Sequence, residues 1–354
     1  MSVPVLDLAN DPALRGSQQG EALRADIEHN IALYLDVFAS LGLDIEELTE
    51  QALCWLPHLR RQDAEFSAEV EGIAEGAARP LAEVVMLNVR YELIIGMLAR
   101  RGRAPAGVDG CTSFGLLAHR SDTGTPVLGQ NWDWMPGART YVARVRRTGG
   151  PDFLGHAEAG TGAATQQGVN EHGIGVVINA LMAAGDSRHP YQRPFRLRVR
   201  DILSATTLGQ AIKAVSGSNR TVSMNFLIGH RLDEIVDIEA GPDTAACLLP
   251  ADGILTHANH FARLDIDSNA LREWPSTVYR GPRLDRLLRR HATLDRKHLH
   301  ECLADPLLCA RADPDTPGST ATLNAILIDL ERRSVAVTAG PPDTHEFDEH
   351  LLDP

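Results

Sequence analysis

The sequence predicts an α+β sandwich preceded by a helical first third. Three observations lead there. Apolar residues recur at steps of three and four through the first hundred positions, a basic Gly/Pro-punctuated segment follows near residue 105, and short apolar runs separated by turn signals fill most of the rest.

In chain order, the region from about Gly20 to Arg101 reads as helix, with Leu23, Ile27, Ile31, Leu35 and Phe38 along one face. Asp44-Ile-Glu-Glu-Leu opens a further helix with an acidic first turn, and Pro80 sits at a first-turn position before the helix Leu81 to Met97. That last helix is apolar on most sides, which predicts burial. Arg100-Arg-Gly-Arg-Ala-Pro-Ala-Gly is then an exposed linker. Strands are expected at 112–118, 126–132, 140–146, 174–181, 223–229, 235–239, 254–257, 325–330 and 334–338, with hairpin turns at Asp122-Thr-Gly and Asn170-Glu-His-Gly. Helices return over 200–215 and from Pro282 to about Leu303.

The bulk numbers exclude several classes. The 354 residues carry a formal charge of -13, and the arginine clusters are short and scattered, so no nucleic-acid partner is expected. No stretch approaches the roughly 18 apolar residues of a membrane helix, and the N-terminus lacks the layout of a signal peptide. Cys54, Cys111, Cys247, Cys302 and Cys309 form no CxxC pair, which fits free thiols and predicts a cytoplasmic protein.

The chemistry centres on Asp109-Gly110-Cys111. A cysteine attacks only as thiolate, and its ordinary pKa of about 8.5 calls for a base or a pKa-lowering environment. Cutting the chain before the cysteine is one solution, because the freed α-amine has a pKa of about 7.7–8.0 and sits beside the thiol. Gly110, without a Cβ, leaves room for that cut. Thr112-Ser-Phe-Gly-Leu-Leu-Ala and the strand ending Gly129-Gln-Asn-Trp-Asp-Trp make a hairpin that returns Asp133 to the neighbourhood of Cys111. There a carboxylate would hold an ammonium and orient the thiol. Gln130 and Asn131 offer neutral donors and acceptors, and Trp132 and Trp134 read as pocket wall or core.

Val108-Asp-Gly-Cys-Thr-Ser-Phe followed by Gly-Gln-Asn-Trp-Asp-Trp resembles the isopenicillin N acyltransferase family, which includes acyl-coenzyme A:6-aminopenicillanic acid acyltransferases and carcinine-type amide hydrolases. More distantly it is similar to choloylglycine hydrolases and penicillin V acylases. The likeness extends through Leu87-Asn-Val-Arg-Tyr-Glu-Leu, Gly168-Val-Asn-Glu-His-Gly-Ile-Gly-Val-Val-Ile-Asn-Ala-Leu, Thr256-His-Ala-Asn-His and Thr320-Ala-Thr-Leu-Asn. It implies a four-layer αββα N-terminal-nucleophile fold and self-cleavage between Gly110 and Cys111. A helical piece, 1–110, would then pack on a catalytic core, 111–354. It further implies Cys111 as nucleophile and, through its new amine, base; Asp133 as orienting carboxylate; and Asn259 as side-chain oxyanion donor. Asn131, Trp132, Trp134 and His257 are the expected substrate contacts. One departure stands out: the fungal acyltransferase carries Ser-Arg before its Ser-Ala-Thr-Leu string, where this chain has Gly318-Ser319, so that arginine is absent.

The expected reaction is hydrolysis of a linear amide of the N-acyl amine or N-acyl amino acid type through a thioester. Transfer from a coenzyme A thioester is the first alternative, and an uncleaved Cys-His hydrolase using His257 or His260 the second. No cofactor or metal is expected, since His257 and His260 lack a third ligand at metal spacing. The expected partners are a small amide, the two cleaved pieces for one another and, left open, a second copy of the chain. The arginines of 193–200 read as a solvated surface, with a coenzyme A phosphate or an acidic substrate as the alternative.

Overall fold

The computed structural model describes residues 2–100, 110–217, 219–268, 270–313 and 319–353. The linker 101–107, Asp109 and Gly318, which carry parts of the expectations above, lie outside them.

Strand β1 (Val5–Leu8) precedes helices α1 (Pro12–Ala22), α2 (Arg24–Ser40), α3 (Ile45–Gln62), α4 (Ala64–Ala77) and α5 (Leu81–Arg100). Aspartates start three of them. Asp11, Asp44 and Asp63 accept the backbone N–H of Leu14, Glu47 and Phe66 at 2.8, 3.0 and 2.9 Å. Helices α1 and α4 touch backbone to backbone: a Cβ on Gly16 would lie 2.0 Å from Glu69 O, and one on Gly76 2.3 Å from Ser17 O. Glycine is what permits that crossing. The buried face of α2 carries Ile27, Asn30, Ile31, Tyr34 and Phe38, so a tyrosine and an asparagine share the stripe and Leu35 is only half-buried. Helix α5 departs from helical angles at Val89 (φ -124°, ψ 21°), directly before Arg90, Tyr91 and Glu92.

Beyond Cys111 come β2 (Thr112–Leu116), β3 (Val127–Trp134), β4 (Thr140–Val145), β5 (Phe153–Glu158), β6 (Gln167–Asn170) and β7 (Ile174–Ala180), then α6 (Phe195–Leu203) and α7 (Leu208–Ser216). They are followed by β8 (Met224–His230), β9 (Glu234–Ala240), β10 (Ala245–Leu248), β11 (Ile254–His257), α8 (Ala270–Glu273), α9 (Thr277–Leu288) and α10 (Arg296–Leu303). Strands β12 (Ala321–Asp329), β13 (Ser334–Thr338) and β14 (Phe347–Leu351) complete the described chain. One sheet has eight strands in the order β1-β4-β5-β6-β7-β8-β9-β10, the other six in the order β11-β2-β3-β12-β13-β14. The sheets face each other, with β2 and β3 against β7 and β8. Helices α6 and α7 cover the outer face of the first sheet, and α9 with α10 that of the second. The result is the expected αββα sandwich.

Three sequence expectations need correction. The helix expected over 200–215 is two, because Thr207 caps a new start, its Oγ1 accepting from Gln210 N at 3.3 Å. The helix expected from Pro282 to about Leu303 is likewise two: α9 already begins at Thr277, and Asp295 caps α10, accepting the His298 N–H at 2.7 Å. Third, the arginines of 193–200 are not a solvated surface. Arg196, Arg198 and Arg200 are buried, Arg196 reaching Glu158 (3.3 Å) and Arg200 reaching Glu69 (3.0 Å). Their partners lie in other segments, so the local sequence shows only a run of charge.

Candidate active site

The β2–β3 hairpin pairs Thr112 with Asn131, which brings Cys111 to the end of β3. A 40 Å³ cavity there is lined by Cys111 and Gly110, by Trp132, Asp133 and Trp134 of β3, by Arg90 and Tyr91 of α5, and by Ile178, Ala180 and Met224 of the facing sheet, among others. Cys111 is 6 % exposed. Burial, and then the neighbouring Asp133 carboxylate, push its thiol up to about 12 against the opposing pull of the Asp133 backbone N–H and the Arg280 guanidinium. In the intact chain the sulfur is therefore held as neutral thiol. Asp133 is itself anchored, accepting from Thr322 Oγ1 at 2.5 Å across the β3–β12 ladder.

Asn259 comes from the segment after β11 and stands against Gly110. A Cβ on that glycine would lie 3.2 Å from Asn259 Nδ2, closer than most side chains tolerate. Its amide orientation is fixed by partners of opposite kind: Nδ2 donates to Ala180 O at 2.9 Å, and Oδ1 accepts from Arg280 Nη2 at 2.7 Å. Arg280 of α9 also donates to Cys111 O (2.8 Å) and to Thr112 Oγ1 (2.9 Å), while Asn179 Nδ2 donates to Cys111 O at 3.0 Å. Two donors thus pin the carbonyl of the cysteine. Sequence reasoning assigned no role to Arg280 or Asn179. Asn179 stands inside the quoted Gly168–Leu181 string, but nothing around Arg280 marks it.

Trp132 and Trp134 line the cavity as expected; Trp132 packs edge-on to His156 (5.3 Å) and Trp134 Nε1 donates to Tyr34 OH (2.5 Å). Two other expectations fail. Asn131 instead meets the helical layer, where Nδ2 donates to Leu303 O (2.8 Å) and Leu308 O (3.2 Å). His257 spends both ring nitrogens elsewhere, on Ala258 O (2.8 Å) and Glu239 (3.0 Å), and it does not line the Cys111 cavity. The Glu239 carboxylate in turn accepts backbone N–H groups of Ala262, Arg263 and Leu264. His257 therefore belongs to a loop-holding cluster, and among the described residues no group of three His, Cys, Asp or Glu side chains is arranged to hold a metal ion.

Residues 120–344 match the family model described as acyl-coenzyme A:6-aminopenicillanic acid acyl-transferase, well over half of the chain. The chain belongs to that family. A curated relative, the 40 kDa form of acyl-coenzyme A:6-aminopenicillanic-acid-acyltransferase from Emericella nidulans, is 26% identical over 344 residues, covering 94% of this chain and 91% of the relative. Among solved structures, a variant of conjugated bile acid hydrolase from Clostridium perfringens superimposes with a TM-score of 0.51 at 12% identity, over 68% of this acyl-transferase family member and 92% of the hydrolase. At that identity the likeness speaks for the shared fold, that of the N-terminal-nucleophile hydrolases. No helix among the described residues of the family member is long and apolar enough to cross a membrane.

Proposed function

We propose that this chain is a cysteine N-terminal-nucleophile enzyme that cuts itself between Gly110 and Cys111 and then hydrolyses a linear amide. The observation that carries this reading is the state of Cys111: a buried neutral thiol directly after a glycine, beside an anchored carboxylate, with no histidine among the described residues lining its cavity. The described lining offers that thiol no neutral nitrogen base. Cleavage would create one.

In the first reaction, Sγ attacks the Gly110 carbonyl carbon, the thiol proton passes to the peptide nitrogen, and the C–N bond breaks to leave Gly110 as a thioester on Cys111. Water then hydrolyses the thioester, freeing the Gly110 carboxylate, the thiol and the α-amine. In the second, the α-amine takes the thiol proton as Sγ attacks the substrate carbonyl. Asn259 Nδ2 and a backbone N–H stabilise the oxyanion, the ammonium protonates the leaving amine, and water releases the acid. Asp133 would hold the ammonium form of the amine through charge. Arg280 keeps Asn259 oriented, since an arginine only donates and so fixes which amide atom faces it.

Intact mass spectrometry of purified protein tests the first step: residues 1–110 and 111–354 as separate masses in the wild type, one full-length mass in Cys111→Ala. Active protein consisting of one unbroken chain would overturn the reading. Asn259→Ala should lower kcat by about 10²–10³-fold if it serves as oxyanion donor, measured on cleaved protein against N-acyl amines.

A further inference from the structure

A second cavity of 440 Å³ lies beside the first, within the range of small-molecule sites (about 300–1,000 Å³). The two are neighbours along α5, with Tyr91 lining the smaller and Glu92 the larger. Phe195, which also lines the smaller, gives its N–H to Glu92 Oε1 at 2.9 Å, and Tyr91 OH donates to Leu181 O at 3.1 Å. The 40 Å³ space around Cys111 is much the smaller of the two.

Glu92 is 2 % exposed, yet among the described residues its Oε2 accepts no hydrogen bond. A buried carboxylate oxygen without a donor is costly, and burial pushes Glu92 up to about 7 even though the Phe195 N–H, Arg90 and Arg198 pull it down. Asp186, also lining this cavity and buried, is satisfied internally by Ser223 Oγ (2.6 Å) and Ala183 N–H (3.1 Å). Arg188 on the lining is already committed to Asp243 at 2.9 Å. Apolar wall comes from Leu93, Pro190, Trp55 and Tyr191, the last two rings meeting edge-on at 5.1 Å. The cavity thus combines an acceptor short of a donor with an aromatic, apolar wall.

We propose that this cavity binds an ammonium group carried on an apolar or aromatic body, with Glu92 accepting its N–H and Trp55 and Tyr191 flanking the body. Binding stands on this geometry alone; its role, to hold an ammonium-bearing end of a substrate whose scissile bond lies at Cys111, rests on the function proposed above.

Calorimetry with 2-phenylethylamine at about pH 8, where Glu92 is ionised, tests it. Wild type and Cys111→Ala are both expected to bind the amine. Glu92→Gln, which keeps an acceptor for the Phe195 N–H, should weaken it by roughly ten- to a hundredfold while leaving the neutral 2-phenylethanol unaffected. Ala184→Phe, at an exposed position on the lining, should block binding without touching α5. Equal affinity in wild type and Glu92→Gln, or an alcohol bound as tightly as the amine, overturns the proposal. Should Glu92→Gln not fold, undiminished binding by Ala184→Phe overturns it. Amine binding by a chain that is never cleaved would leave this site standing and remove only the nucleophile reading.

Discussion

The outer face of the six-stranded sheet and the seat of the N-terminal helices are both buried, but they are filled with different chemistry. Against the sheet, Leu284, Leu287 and Leu288 of α9 and Leu299 and Leu303 of α10 pack on Phe114, Leu116, Val127 and Leu327. At the helical seat, polar groups sit inside as well. Glu69 of α4 lies fully buried between Arg15 (2.8 Å) and Arg200 (3.0 Å) and takes the Ala163 N–H at 2.6 Å. Glu158 of β5 gathers Arg90 and Tyr34 from the helices with Arg196 and Gln166 from the core. Asn30 Nδ2 donates to Arg139 O and Ala159 O, and Asn88 Nδ2 to Gly160 O. Apolar contact is non-directional and tolerates small shifts. Buried ion pairs add little net strength because both charges lose water, yet removing one partner is severe. The difference teaches that the helical seat is built for one alignment. If the chain is cut after Gly110, that alignment has to persist without a peptide bond.

The comparison can be broken at its strongest point first. Glu69→Ala leaves Arg15 and Arg200 buried without their carboxylate and should cost about 3–5 kcal/mol in urea unfolding; a loss below about 1 kcal/mol would mean the charges there are dispensable. On the apolar side, Leu288→Ala should cost about 2–4 kcal/mol through lost burial and the remaining cavity, by the same measurement. Acid separates the two regions. The arginines hold Glu69 down at about 2 against the opposing effect of burial, below its ordinary 4.5, so its contribution is complete above about pH 4.5 and disappears as the pH falls towards 2. Urea midpoints should show this loss, on the order of 3 kcal/mol at most, in wild type and in Leu288→Ala but not in Glu69→Gln. The smallest effect belongs to Arg60–Glu71, an exposed pair within the helical region, where Arg60→Ala should change stability by less than about 1 kcal/mol.

Much of the site was readable because it is local. A hairpin of two strands returns its end to its beginning, and that alone brings Asp133 to Cys111 and turns Trp132 and Trp134 towards the cavity. Asn131 was misjudged for want of one fact, which face of β3 meets helices. His257 was misjudged because its partner, Glu239, stands on β9 and nothing near residue 257 announces a carboxylate. The buried arginines 196, 198 and 200 looked like surface for the same reason.

What the sequence determined by itself was therefore whatever depends on neighbours in the chain: helices in the first third, strands and turns after it, a glycine before a cysteine, and the hairpin that follows. What only the tertiary structure decided was how the site is completed. Arg280 reaches the Cys111 carbonyl from 169 residues away and Asn179 from 68, across layers whose packing fixes the contact. Glu92 keeps a buried carboxylate oxygen without a hydrogen-bond partner among the described residues, at a cavity that α3, α5 and the segment after β7 form together. Periodicity and turn chemistry record local geometry, and a hydrogen bond made between layers leaves no period in either of the segments it joins.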